Sequence, residues 1–200
     1  MADKLARAKL ARAARRFGAH SGDATLILLT DDERQADLLA AASALPRGSM
    51  VILRSRNASR RAAIAKALKT IARSRALKFL IAGDAALAQG IGADGIHLPQ
   101  TRAREAAFWR ARHPHWIITV AAHSLGACAH APQADAILLG PVFVTGSHPG
   151  GGRLGTMRLR LIARQSPLPI YALGGIDARS AICLQGAQLA GLAAIGALSV

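Results

Sequence analysis

Aromatic side chains are scarce in this sequence. Four Phe, two Trp and one Tyr make up 4% of the 200 residues, although hydrophobic residues as a whole make up 52%. A core drawn from such a set is filled by Ala, Leu, Ile and Val, which suits buried parallel strands under Ala-rich helices. The same scarcity argues against nucleic acid as a partner, because single-stranded bases need aromatic platforms to stack on. Acids are few as well, eleven Asp and Glu against 26 Lys and Arg. Asp31, Asp32, Asp84 and Asp177 follow different predicted strands and form no compact carboxylate cluster, so no metal site is expected. Cysteine is limited to Cys128 and Cys183, without CxxC or Cys/His spacing, which argues against zinc. No apolar run approaches the ~18 residues of a membrane span. The start has no apolar signal core, so a cytoplasmic protein without a membrane partner is expected.

What the sequence does have is charge of one sign and a regular alternation of elements. The net charge is +15, scattered over nearly every predicted helix, as on a solvated surface with an anion-attracting mouth. Residues 1–20 are expected to form a basic helix packed on the remainder. The segment Asp3–Phe17 is a strong helix former carrying Lys4, Arg7, Lys9, Arg12, Arg15 and Arg16. Its mostly Ala apolar side predicts a helix capping a barrel floor rather than an arm for lipid.

Residues 21–200 alternate apolar, β-branched runs with segments of helical period, the pattern of βαβ units. Eight strands are predicted: 25–29, 50–53, 78–82, 95–98, 116–120, 136–139, 170–173 and 192–195. Eight such units close naturally into a (β/α)8 barrel, with an open doubly wound sheet as the alternative. The chain ends soon after the eighth strand, so the last helix is short or missing. The longest connection, Gly140–Thr156 with six glycines and two prolines, follows the sixth strand and reads as a mobile lid.

The sharpest chemical motif is LGGID at 173–177, where Gly174 and Gly175 let backbone approach an anion and a following helix would point its amides at it. Ile195 and Gly196 end the eighth strand and offer further amides. The loops after strands seven and eight are the usual phosphate site of such barrels. Arg54 and Arg56 leave the second strand as candidates for bidentate anion binding, and a solvated pair is the alternative. His123 follows the fifth strand and His97 ends the fourth; either is a natural proton carrier or ligand contact. His148 lies in the glycine loop, where it either closes on an anion or stays exposed. Phe108 and Trp109 mark either a homo-oligomer contact or a core-facing pair.

GADGIHLPQ, AAHSL, LLGPVFVTGSHPG and ALGGID, in this order, resemble the thiamine-phosphate synthase and TenI-type thiazole tautomerase superfamily over residues 25–198. The resemblance implies a TIM barrel that binds a small phosphorylated thiazole, with Thr145 and Ser147 added to Arg54, Arg56, His97 and His148 as substrate contacts. In the synthase it implies joining a pyrimidine pyrophosphate to the thiazole phosphate, with release of pyrophosphate and help from magnesium. Several positions depart from that pattern. Ile52 stands where the synthase has glutamine, Arg56 where it has lysine, Ala82 and Gly83 where it has Asn-Asp, Arg102 where it has an aspartate, and His148 where it has a lysine. The tautomerase pattern, with Arg-x-Arg, Leu-Pro, His-Ser-Leu and no acid pair, matches more closely. The leading expectation is therefore a thiazole tautomerase in which His123 shuttles the proton without a cofactor. A synthase that needs magnesium at a degenerate site is the first alternative. A non-catalytic thiazole-phosphate-binding or regulatory protein is the second.

Overall fold

The structure is a computed structural model and describes residues 2–18, 24–31, 37–55, 57–145 and 152–199. Eight parallel strands close into one barrel in sequence order. They are β1 (Leu26–Leu29), β2 (Met50–Leu53), β3 (Lys78–Ala82), β4 (Gly95–Leu98), β5 (Ile117–Ala122), β6 (Ala136–Leu139), β7 (Ile170–Leu173) and β8 (Gly191–Ala194). The first strand pairs with the last, Ile27 opposite Ala193, so the open-sheet alternative does not hold.

Side chains alternate across each strand. Ile27, Leu29, Met50, Ile52, Leu80, Leu138 and Tyr171 fill the lumen as one buried cluster. Leu28, Val51, Phe79, Ile81, Ile96, Val120 and Leu192 face outward into a second cluster beneath the helices. Because Ile96, Leu98, Ile118 and Val120 belong to that outer cluster, the intervening His97 and Thr119 point into the lumen.

The helices are α1 (Ala2–Ala14), α2 (Leu38–Ser43), α3 (Ala58–Arg75), α4 (Ala85–Gly90), α5 (Glu105–Arg112), α6 (Leu125–Ala129) and α7 (Gly155–Gln165). Four begin at the mouth on a side-chain cap: Asp37, Asn57, Asp84 and Ser124 each accept a backbone N–H of the following turn. These caps fix where the chain leaves the strand ends.

Two expectations change. Among the described residues a short 3-10 helix, Ser180–Leu184, stands after β7 in place of the expected α-helix, whereas the element after β8, Gly196–Leu198, is short as expected. The expected floor cap, α1, lies elsewhere. Its buried Leu10, Ala14 and Phe17 join the outer cluster with Leu26, Leu28, Leu192 and Ala194. The Arg7 guanidinium donates to the Ser199 carbonyl at 2.7 Å, past the mouth end of β8, and Gly18 N–H donates to the Leu189 carbonyl at 3.2 Å, before its floor end. The N-terminal helix thus lies on the outside of the barrel against the 3-10 helices that follow β7 and β8. The physical reason is that its apolar side chains Leu10, Ala14 and Phe17 are buried in the outer cluster rather than under the lumen.

Candidate functional site

A cavity of about 610 Å³ opens at the carboxyl ends of the strands. One wall is the turn after β7 and the turn after β8, with Gly174, Gly175, Ile195 and Gly196 all lining it. Gly174 and Gly175 have φ of 95° and 65°, a region in which side chains other than glycine are strained. A Cβ on Gly174 would lie 2.7 Å from Pro141, and one on Gly175 2.6 Å from Phe143. The glycine pair therefore serves packing as well as access: it lets the segment after β6 lie against the β7 turn. That segment is tied down by Val142 N–H on the Leu173 carbonyl, 2.9 Å, and Phe143 N–H on the Gly174 carbonyl, 3.0 Å. Gly196 differs, with nothing within 4 Å of an added Cβ.

Among the described residues, the N–H groups of Gly175, Gly196 and Ala197 donate to no protein acceptor. Gly175 lies in the turn after β7, while Gly196 and Ala197 open the short 3-10 helix after β8. The helix dipole expected to reinforce them is absent, since the 3-10 helix after β7 starts only at Ser180 and Asp177 takes its leading amides. Arg179 N–H donates to Asp177 Oδ1 at 2.8 Å and Ser180 N–H at 2.7 Å. Those bonds, the Ser180 amide first, hold the Asp177 carboxyl below its ordinary pKa.

His123 lies across the cavity, exposed, one residue beyond β5. Its Nδ1 is hydrogen-bonded to the Gly140 carbonyl. A carbonyl only accepts, so Nδ1 donates, and the tautomer this selects is the one whose Nε2 carries the lone pair. Its backbone N–H donates to Gln100 Oε1 at 2.9 Å. Gln100 carries no signal of this role in the sequence. Its adjacency to His123 arises because β4 and β5 are paired, His97 opposite Thr119 and Leu98 opposite Val120.

Of the remaining candidates, Arg54 and Thr145 line the cavity. Arg54 Nη2 contacts Asp31 Oδ2 at 2.5 Å, and the Arg54 N–H donates to the Thr30 hydroxyl at 2.9 Å, so β1 fixes the arginine's backbone and its head. His97 does not line the cavity; it is buried within the lumen, Nδ1 2.9 Å from Thr119 Oγ1. Burial, and after it the charge of Arg54, lowers its pKa to about 4, so the ring is neutral near pH 7. Arg56, Ser147 and His148 lie outside the described residues. Phe108 and Trp109 part ways: Phe108 is exposed, while Trp109 packs on the core, stacks on His113 and lies tilted against Trp116.

A family model described as "Thiamine monophosphate synthase" matches residues 26–198, which is the whole barrel. The chain belongs to this family. A thiamine-phosphate synthase from Thioalkalivibrio sulfidiphilus is 33% identical over 153 residues, 72% of either chain. One from Ruminiclostridium cellulolyticum is 28% identical over 184 residues, 88% of either chain. A relative from Aquifex aeolicus is 33% identical over 115 residues, and there the chain spans 61% of the relative's length. Among solved structures, a thiamine phosphate pyrophosphorylase from Pyrococcus furiosus shares the fold, with a TM-score of 0.71 and 22% identity over 86% of this chain and 85% of that one. The names of these thiamine-phosphate synthase relatives favour the synthase over the tautomerase that the sequence motifs suggested.

The magnesium that the synthase pattern implies has no matching donors among the described residues. Asp84 is occupied at both oxygens, accepting Leu87 N–H at 2.9 Å and lying 3.3 Å from Arg61 Nη1. The positions of the two synthase aspartates are Gly83 and Arg102, and the Arg102 guanidinium donates to the Gly83 carbonyl at 2.8 Å. A hard divalent cation needs several oxygen ligands. This corner presents a cation in their place.

Proposed function

We propose that this protein is a thiamin-biosynthesis enzyme that binds a thiazole phosphate with its phosphoryl group against the β7 and β8 turns. The observation that carries the reading is that Gly175, Gly196 and Ala197, whose N–H groups have no protein acceptor among the described residues, line one cavity together with His123. Backbone donors held by a rigid barrel need no reorganisation to receive an anion. Leu29, Val144 and Leu173 offer apolar contact to a thiazole ring between them.

The relatives' names support thiamine-phosphate formation as the reaction. In it the thiazole nitrogen forms a bond to the pyrimidine methylene carbon, the bond from that carbon to the pyrophosphate oxygen breaks, and pyrophosphate leaves. This chain's contribution is to hold the thiazole phosphate at the β7 and β8 amides and to offer Arg54, steadied by Asp31, to an anionic partner. No step is assigned to a metal, because the donors for one do not match.

One observation favours a second reading, the tautomerase. The Gly140 carbonyl fixes the His123 tautomer, leaving Nε2 as a base at the cavity, as a proton shuttle on a thiazole carboxylate phosphate requires. One pair of assays separates the two: product formation from pyrimidine pyrophosphate plus thiazole phosphate, and aromatisation of the thiazole carboxylate phosphate. Thiamine phosphate in the first supports the synthase. Aromatisation that falls by about 100-fold or more in His123→Ala supports the tautomerase, and an undiminished rate removes His123 from it. Neither product, with wild-type protein at high concentration, overturns both.

A further inference from the structure

Arg102 ends the 3-10 helix Gln100–Arg102 after β4 and reaches across to the loop after β3. Its three nitrogens are all engaged. Nη1 donates to the Gly83 carbonyl at 2.8 Å, while Nε and Nη2 donate to the two oxygens of Glu105 at 2.6 Å each. This is the bidentate geometry for which a planar guanidinium is suited and an ammonium is not. Glu105 in turn accepts the Trp109 indole N–H at 3.2 Å, so the chain of contacts runs from the β3 loop into α5. Gly83 has φ of 70° and an open Cβ side, where the nearest atom to an added Cβ is Arg102 Nη1 at 3.9 Å.

We propose that Arg102 is this chain's internal substitute for a divalent cation: its guanidinium joins the β3 and β4 loops at the mouth, so the corner keeps its shape without magnesium. The inference rests on the family reading of the mouth, since that reading is what puts a metal there. Two positive observations carry it. The guanidinium ties the carbonyl of the β3 loop to the carboxylate that opens α5, and its charge repels a second cation from the same corner. The lowered pKa of Glu105, caused first by its hydrogen bonds to Arg102, agrees with a carboxylate committed to the bridge. Arg102 is a positioning residue here; it acts on loop geometry and touches no substrate.

The first test needs no turnover, so it stands even if neither reaction under the proposed function is found. Manganese titrated into EDTA-treated wild-type protein is followed by paramagnetic broadening of amide resonances. The expected result is no saturable broadening at Gly83, Asp84 or Gln100 and no change of melting temperature with millimolar magnesium. Saturable binding at those amides, or a melting temperature that EDTA lowers and magnesium restores, would overturn the proposal. The second test removes the bridge. Arg102→Ala is expected to shift the emission of Trp109 and raise KM severalfold more than it changes kcat, without rescue by magnesium, while Arg102→Lys recovers only part of the loss. Rescue of Arg102→Ala by magnesium, or full recovery with lysine, would count against a bidentate bridge. Should the variants fail to fold, the wild-type titration alone decides.

Discussion

At the scale of single residues, one added methyl group has opposite consequences on the two turns of the phosphate wall. Gly175→Ala would place a Cβ 2.6 Å from Phe143 and 2.7 Å from the Val144 carbonyl, at a φ of 65°. The expected cost is about 1–3 kcal/mol of stability, because either the backbone or the β6 segment must move. Gly196→Ala meets nothing within 4 Å and should leave stability unchanged while weakening binding of a phosphorylated ligand. Urea unfolding beside ligand titration separates the two; equal effects of both substitutions on stability would contradict this division. His97 carries a pH prediction. Its folded pKa is about 4, and its unfolded value is about 6.5. Between these values the unfolded chain holds the extra proton, so stability is fully present above the unfolded value and is lost as pH falls toward the folded one. From about pH 7 to about pH 5 this group should remove about 2 kcal/mol, and His97→Gln should show a correspondingly smaller acid loss. An identical pH dependence in wild type and variant would refute the buried neutral imidazole. At this scale the sequence located Gly174, Gly175, Gly196 and His123 at strand ends, and the structure places all four around one cavity. Gln100 under His123 and Glu105 beside Arg102 were not legible. Their roles come from contacts around the mouth, where side chains of neighbouring loops meet.

At the scale of elements, the strands were readable to within a residue or two. Short apolar runs bounded by polar segments leave little freedom, and parallel pairing fixes which side chains enter the lumen. The helix after β7 was misread for a local reason: the Asp177 carboxylate and the Ser180 hydroxyl capture the turn, and a 3-10 helix follows. Helix α1 was read correctly as a helix and given the wrong place. Periodicity reports which face is apolar, and says nothing of what that face meets. Its position makes a prediction. Leu10 is fully buried in the outer cluster, so Leu10→Ala should destabilise the whole barrel by about 2–4 kcal/mol. A loss under about 0.5 kcal/mol in urea unfolding would show that α1 is a peripheral arm instead.

At the scale of the whole molecule, a closed barrel converts eight separate strand ends into one concave site. The glycine turns of β7 and β8 face His123 of β5 because the circle is complete, and Arg54 arrives from β2. The net charge of +15 on the whole chain favours the approach of anions. The central claim is that the phosphoryl group rests on the amides after β7 and β8. Its most direct measurement is a crystal structure of the protein soaked with a thiazole phosphate. The account predicts phosphoryl oxygens within hydrogen-bonding distance of the Gly175 and Gly196 N–H groups, with the thiazole ring on the His123 side of the cavity. Phosphoryl density seated at Arg54 or at the floor of the barrel, with those amides unengaged, would contradict it.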